Sequence, residues 1–218
     1  MRDDQEPRRR LVALGRRLLE ERLVSGTGGN LSMRTPSGVL ITPSGVPYQE
    51  MAPGDLALLA PDGERLEGAR RPSSETPMHL EVYRRRPDVG GVVHTHSRYA
   101  SAFATAGREI PPFHYMVAAV GDRVPLAPYA TFGTAELAAS AVETLADRYG
   151  AVLLERHGVL AVGATPEEAF DRALAVEHVA EVSFLALQLG FPEPLPPEEL
   201  ERLRERFEGY GRTQHPES

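Results

Sequence analysis

Apolar residues at positions 11, 12, 14, 18, 19 and 23 recur at the spacing of one helix face and predict an amphipathic helix from Leu11 to Val24. Ser25-Gly26-Thr27-Gly28-Gly29-Asn30 stops it. Leu31–Arg34, Gly38–Thr42 and Asp55–Ala60 then read as short strands, parted by Pro43-Ser44-Gly45 and closed by a Pro61-Asp62-Gly63 turn. After Pro72-Ser73-Ser74 a helix is expected from Glu75 to Arg86, since Ser at the start and Pro in the first turn are N-terminal helix signals. Gly91–His96 reads as a buried strand, Tyr99–Ala106 as a short helix, Val117–Pro125 as strand and turn, and Thr134–Tyr149 as a helix. Ala151–Arg156 and Val159–Val162 flank His157-Gly158 as a β-hairpin. Thr165-Pro166 opens a long helix to Leu189, and Pro192–Pro197 links it to a charged helix at Glu198–Phe207. Short strands interleaved with helices predict a mixed α/β sheet covered by helices. The expected organisation is one domain over residues 1–218, with residues 1–10 a flexible N-terminus and 211–218 a polar tail.

Composition narrows the chemistry. No apolar run approaches the ~18–20 residues that span a bilayer. Residues 2–6 are charged or polar with no apolar stretch behind them, so a cytoplasmic location is expected. A net charge of −7 counts against nucleic acid as the main partner and leaves a small anionic molecule open. The chain has no cysteine, which excludes disulfides, thiolate metal sites and thiol nucleophiles. All 24 Lys+Arg positions are Arg. A Schiff base needs an amine that can deprotonate, and Arg cannot supply one. Any carbanion chemistry must therefore use a metal or another cofactor as its electrophile.

Histidines supply the metal candidate. His94 and His96 stand two apart at the end of an apolar strand, so their imidazoles point to the same face. His157 sits at a strand end before Gly158, where a rigid scaffold can present a ligand. Three histidines on one zinc leave a fourth position for carboxylate, water or substrate, the pattern of a catalytic site. Glu75, at a helix start, could close that shell, or could be an acidic first-turn residue complementing the helix dipole. His79, four residues on, reads as a packing residue or a support to the ligands. His114, His178 and His215 carry no spacing argument. Ser25–Asn30, Thr42–Gly45 and Pro72–Ser74 are turn-like segments whose backbone N–H groups and hydroxyls suit phosphate oxygens.

The ordered series SGTGGNLSMR, ITPSGVPY, PSSETPMHLEVY, VVHTHS, IPPFHYMVAAVG, APYATFGT and LLERHGVL resembles the class II aldolases, in particular those acting on fuculose phosphate. The match runs from about Leu11 to Tyr210. The resemblance implies a three-layer α/β/α sandwich with a mainly antiparallel sheet, assembled as a ring-shaped homotetramer. It implies Zn²⁺ held by His94, His96 and His157, with Glu75 as a fourth ligand that swings away to move protons. Gly29, Asn30, Ser44, Gly45, Ser73 and Ser74 resemble the phosphate-binding positions. Tyr115 matches a tyrosine that reaches a neighbouring subunit's site and protonates the aldehyde-derived oxygen, and Phe132 and Tyr210 match the aldehyde pocket. The implied reaction is reversible cleavage of L-fuculose 1-phosphate, or a related ketose 1-phosphate, to dihydroxyacetone phosphate and L-lactaldehyde. Methylthioribulose-phosphate dehydratases of the same superfamily share much of the site. The 4-epimerases carry Asp where Glu75 stands, and adducin-like interaction modules lack the histidines.

Overall fold

The computed structural model describes residues 5–209. Helix α1 spans Gln5–Glu20, followed by strands β1 (Asn30–Thr35), β2 (Gly38–Ile41), β3 (Ala57–Leu59) and β4 (Arg65–Glu67). Then come α2 (Thr76–Arg85), β5 (Gly91–Thr95), α3 (Arg98–Thr105), β6 (Leu126–Ala127) and α4 (Ala135–Leu145). The chain continues through β7 (Ala151–Leu154), β8 (Gly158–Gly163), α5 (Pro166–Leu189) and α6 (Pro197–Gly209). The eight strands form one sheet in the order β4-β3-β2-β1-β5-β8-β7-β6. Every pairing is antiparallel except β6 with β7.

Strand alternation explains the layers. Val93, Ala161, Val159 and Leu153 point to one face and join Leu11, Leu14 and Leu18 of α1, Phe103 of α3, and Phe170 and Val176 of α5. Val92, Leu160, Val162, Val152 and Leu154 point to the other face, against Met78 and Val82 of α2 and Leu137 and Ala141 of α4. A sheet buried on both sides reads as near-continuous apolar runs, as β7 and β8 do. The result is the expected three-layer α/β/α sandwich.

Four local expectations change. Helix α1 reaches back to Gln5, into the stretch expected to be flexible, because Arg8 is buried and its guanidinium donates to Leu56 O at 2.8 Å and to Glu67 at 3.0 Å. The same helix ends earlier than Val24, since Arg22 takes a left-handed φ of 59°. Segment 117–125 is not a strand: Tyr115–Ala119 is a 3-10 turn, with Val120 and Gly121 N–H both donating to Val117 O. Strand β4 was not anticipated, as its three residues are all exposed and carry no alternation.

Candidate functional site

Strand β5 and the hairpin β7–β8 bring the three histidines together. His94, the last residue but one of β5, is fully buried, and His96 follows just past the strand. His157 stands in the turn between β7 and β8, where Arg156 takes a φ of 57°. The next residue must be small: a Cβ on Gly158 would lie 2.2 Å from Thr95 O and 3.0 Å from the His96 ring. That close approach sets His157 beside His94 and His96. The ring centroids form a near-equilateral triangle, at 4.8, 4.8 and 5.1 Å. Glu75, the residue preceding α2, reaches in from the helix layer. Its Oε2 lies 3.0 Å from His94 Nε2, and its Oε1 lies 3.4 Å from His157 Nε2. One ligand atom from each of the four residues falls within 4.8 Å of the others.

The donor set fits a divalent cation. His94 Nδ1 is 2.8 Å from Val159 O, a bond that puts the proton on Nδ1 and turns the Nε2 lone pair toward the cluster. That Nε2 meets His96 Nε2 at 2.9 Å and the Glu75 carboxylate at 3.0 Å. Bare lone pairs facing one another and a carboxylate need a positive charge between them. Without a metal, a proton on His94 serves: burial opposes its charge, but Glu75 and the Val159 carbonyl outweigh burial and raise its pKa. Burial, aided by the charge of His94, pushes His96 and His157 down to about 4, so both are neutral and ligand-ready. Burial would raise the Glu75 carboxyl. His94 and the Asn30 amide overcome it and hold the group well below the usual carboxylate range. Among the described residues Glu75 Oε1 is buried without a hydrogen-bond partner, as an atom awaiting a cation would be. Glu75 and His94 are buried, His157 is half-buried and His96 is exposed, so the cluster opens to solvent on the His96 side.

The turn segments converge on the same place. Gly29 takes a φ of 73°, and a Cβ there would lie 2.6 Å from His94 O, so this loop abuts β5. The 42–45 and 71–74 loops are joined by Ser73 N–H donating to Thr42 O and Ser44 N–H donating to Arg71 O. Ser73 Oγ accepts from Glu75 N–H at 3.2 Å. Ser44, Gly45 and Ser74 are exposed beside it. Gly133 approaches within 3.0 Å of Ser74 O, measured from an ideal Cβ, which sets the exposed Phe132 next to that turn. Tyr115 is 51% exposed on its 3-10 turn, with its ring against His114 and Phe207 of α6. Tyr210 lies outside the described residues. A groove of about 710 Å³ lined by Arg148, Arg172 and Arg204 holds none of the candidate site residues. Convergence of ligand atoms, not concavity, marks the site.

Ser32 and Tyr83 escaped the sequence reading. Asn30 pairs directly across from His94, and with Ser32 it faces α2. Asn30 donates to Glu75 Oε2 at 2.9 Å, and its Oδ1 meets His79 Nε2 at 2.5 Å. His79 Nδ1 meets Ser32 Oγ at 2.6 Å, and Ser32 Oγ meets Tyr83 OH at 2.8 Å. The available signal was a polar stripe at Glu75, His79 and Tyr83, at i, i+4 and i+8, over Asn30 and Ser32 at strand period two.

The sequence profile of the Class II Aldolase and Adducin N-terminal domain matches residues 9–184. A 5-deoxy-D-ribulose 1-phosphate aldolase from Bacillus thuringiensis is 44% identical over 209 residues, 95% of this chain and 98% of that protein. An L-fuculose phosphate aldolase from Escherichia coli is 40% identical over 191 residues, 87% of this chain and 88% of that protein. The solved structure of an L-fuculose 1-phosphate aldolase superposes with a TM-score of 0.91 at 38% identity, covering 95% of this chain and 98% of that one. With its sheet, its histidine triangle and these relatives, which are carbon–carbon lyases, the chain belongs to the class II aldolase and adducin family.

Proposed function

We propose that this protein is a zinc-dependent aldolase that reversibly cleaves a ketose 1-phosphate ending in a methyl group to dihydroxyacetone phosphate and a short aldehyde. The observation that carries the reading is the convergence of Glu75, His94, His96 and His157 within 4.8 Å, beside the Ser73-Ser74 turn. The substrates named for the relatives, L-fuculose 1-phosphate and 5-deoxyribulose 1-phosphate, share the phosphorylated three-carbon end and a terminal methyl group. They differ in the aldehyde released, L-lactaldehyde or acetaldehyde.

His94, His96 and His157 would hold Zn²⁺, with Glu75 as a fourth ligand. The bound ion would supply Lewis acidity to the ketose. Gly29, Asn30, Ser44, Gly45, Ser73 and Ser74 bind the phosphate through backbone N–H groups, the Asn30 amide and hydroxyls, since no lysine exists. Phe132 forms the wall against the aldehyde's methyl group. In cleavage, the C4 hydroxyl gives its proton to Tyr115 as the phenolic proton passes to solvent, the C3–C4 bond breaks, and C4 leaves as the aldehyde. Glu75, having taken up a proton from solvent, delivers it to C3, which completes dihydroxyacetone phosphate. Synthesis reverses both transfers.

A panel assay tests this reading. L-Fuculose 1-phosphate, 5-deoxyribulose 1-phosphate and methylthioribulose 1-phosphate are each supplied, and dihydroxyacetone phosphate is followed by coupled reduction. At least one of the first two is expected to yield it. Release of no triose phosphate from any of them overturns the assignment.

The exposed Tyr115 serves a neighbouring subunit in a homotetramer. Phe184, Leu185, Leu189 and Phe191 are also exposed, an apolar surface that assembly would cover. Tyr115→Phe and Glu75→Gln proteins are each expected to be defective. Co-assembled, some sites receive an intact Glu75 from one chain and an intact Tyr115 from the next, and activity rises above either parent. Mixed tetramers without complementation place Tyr115 outside the neighbour's site.

A further inference from the structure

The buried hydrogen-bonded chain behind Glu75 has only one consistent set of proton positions. The carboxylate accepts and cannot donate, so the Asn30 NH₂ faces Glu75 and its carbonyl faces His79. A carbonyl also only accepts, so His79 Nε2 carries the proton that bridges to Asn30. His79 is fully buried, and among the described residues no carboxylate is in hydrogen-bond contact with its ring, so an imidazolium there would be a buried charge without a counter-ion and the ring is neutral. Its Nδ1 is therefore bare and accepts from the Ser32 hydroxyl. Ser32 Oγ then accepts from Tyr83, whose hydroxyl keeps its proton because burial pushes its pKa up. Arg34 packs on the same tyrosine, donating to the Tyr83 main-chain carbonyl at 2.8 Å with its guanidinium 4.9 Å from the ring centre. Every donor along Tyr83, Ser32, His79 and Asn30 points toward Glu75.

We propose that His79 is a positioning residue: backed by Ser32 and Tyr83, it locks the Asn30 amide so that the site meets an N–H donor and never a carbonyl. Glu75, at the end of the chain, is thereby held by a fixed dipole on one oxygen while the other is left for the cation. Without the His79 donor, the Asn30 amide is free to turn through 180° and oppose its carbonyl to the carboxylate. The positioning rests on hydrogen-bond inventory alone, and its consequence for turnover rests on the aldolase reading above. His79 acts through Asn30, so removing it costs nothing further once Asn30 is gone. A residue that merely fills space would add its own penalty.

The test is a double-mutant cycle on the zinc-loaded full chain, with a spectroscopic arm independent of activity. His79→Leu is expected to lower kcat by roughly 10–100-fold, the scale of one hydrogen bond to a charged group, with KM changed much less. Asn30→Ala is expected to lower kcat comparably, and the double variant to fall no more than about 3-fold below Asn30→Ala, because coupled residues are non-additive. His79→Gln, which keeps an N–H for Asn30, is expected to recover most of the loss. If His79→Leu does not fold, the cycle is run with Ser32→Ala in its place. Nitrogen-resolved NMR of ¹⁵N-histidine protein is expected to find His79 neutral with its proton on Nε2. Multiplicative losses, or a proton on Nδ1, overturn the proposal. Loss of the aldolase reading alone would instead leave the Nε2 proton in place and the wild-type protein inactive on the panel.

Discussion

Glu75→Gln is expected to keep the metal and lose about 10²–10⁴-fold in kcat, the usual contribution of a general acid–base group. The substitution preserves shape, and three imidazoles remain to hold the ion, two of them neutral below physiological pH. The amide cannot carry a proton to carbon. Metal content measured by elemental analysis should stay near one ion per subunit, and exchange of the C3 hydrogen of dihydroxyacetone phosphate with solvent should fall in step with kcat. A near-normal rate would remove Glu75 from the chemistry. Loss of the metal would instead make Glu75 an essential ligand and leave its proton-transfer role unsupported.

Replacing Ser73 and Ser74 together by Ala is expected to weaken recognition of the phosphorylated substrate by about two to four orders of magnitude. Two hydrogen bonds to a charged group are removed, each worth about 1.5–3 kcal/mol, against ~1.4 kcal/mol per tenfold in affinity. No lysine is available to compensate. Ser73 Oγ already accepts from Glu75 N–H and has its own proton free for a phosphate oxygen, while Ser74 is exposed beside it. The loss should appear mainly in KM, with kcat at saturation less affected. Equal activity on the phosphorylated and unphosphorylated ketose, in the wild-type protein, would contradict the phosphate role altogether.

The central layers were legible because periodicity reports burial. Strands β5, β7 and β8 are buried on both faces and read as apolar runs, and α5 announces itself by Thr165-Pro166, whose Thr hydroxyl accepts from Glu168 N–H. The histidine cluster was legible for a different reason. His94 and His96 share a strand end and His157 sits at a hairpin turn before a glycine, places where a scaffold presents ligands, and the family resemblance joined them into one set. Where a tertiary partner decides the structure, local pattern fails. Arg8 is a charged residue that the pattern assigns to solvent, and only the Leu56 carbonyl and Glu67 make its burial tolerable. The 115–119 segment holds Val and Ala in strand-like order, yet it lies against α5 and α6 with no strand to pair with. The chain through Asn30, Ser32, His79 and Tyr83 joins a strand to a helix over more than forty residues of sequence, beyond the reach of any single-segment pattern.

The most direct measurement is triose phosphate release from the preferred ketose 1-phosphate before chelation, after chelation, and after return of Zn²⁺. Metal-stripped protein is expected to be inactive while retaining its fold, since the two hydrophobic cores on either face of the sheet do not depend on the ion. One equivalent of Zn²⁺ per subunit should restore the rate. Full activity in protein shown by elemental analysis to be free of metal would contradict the account.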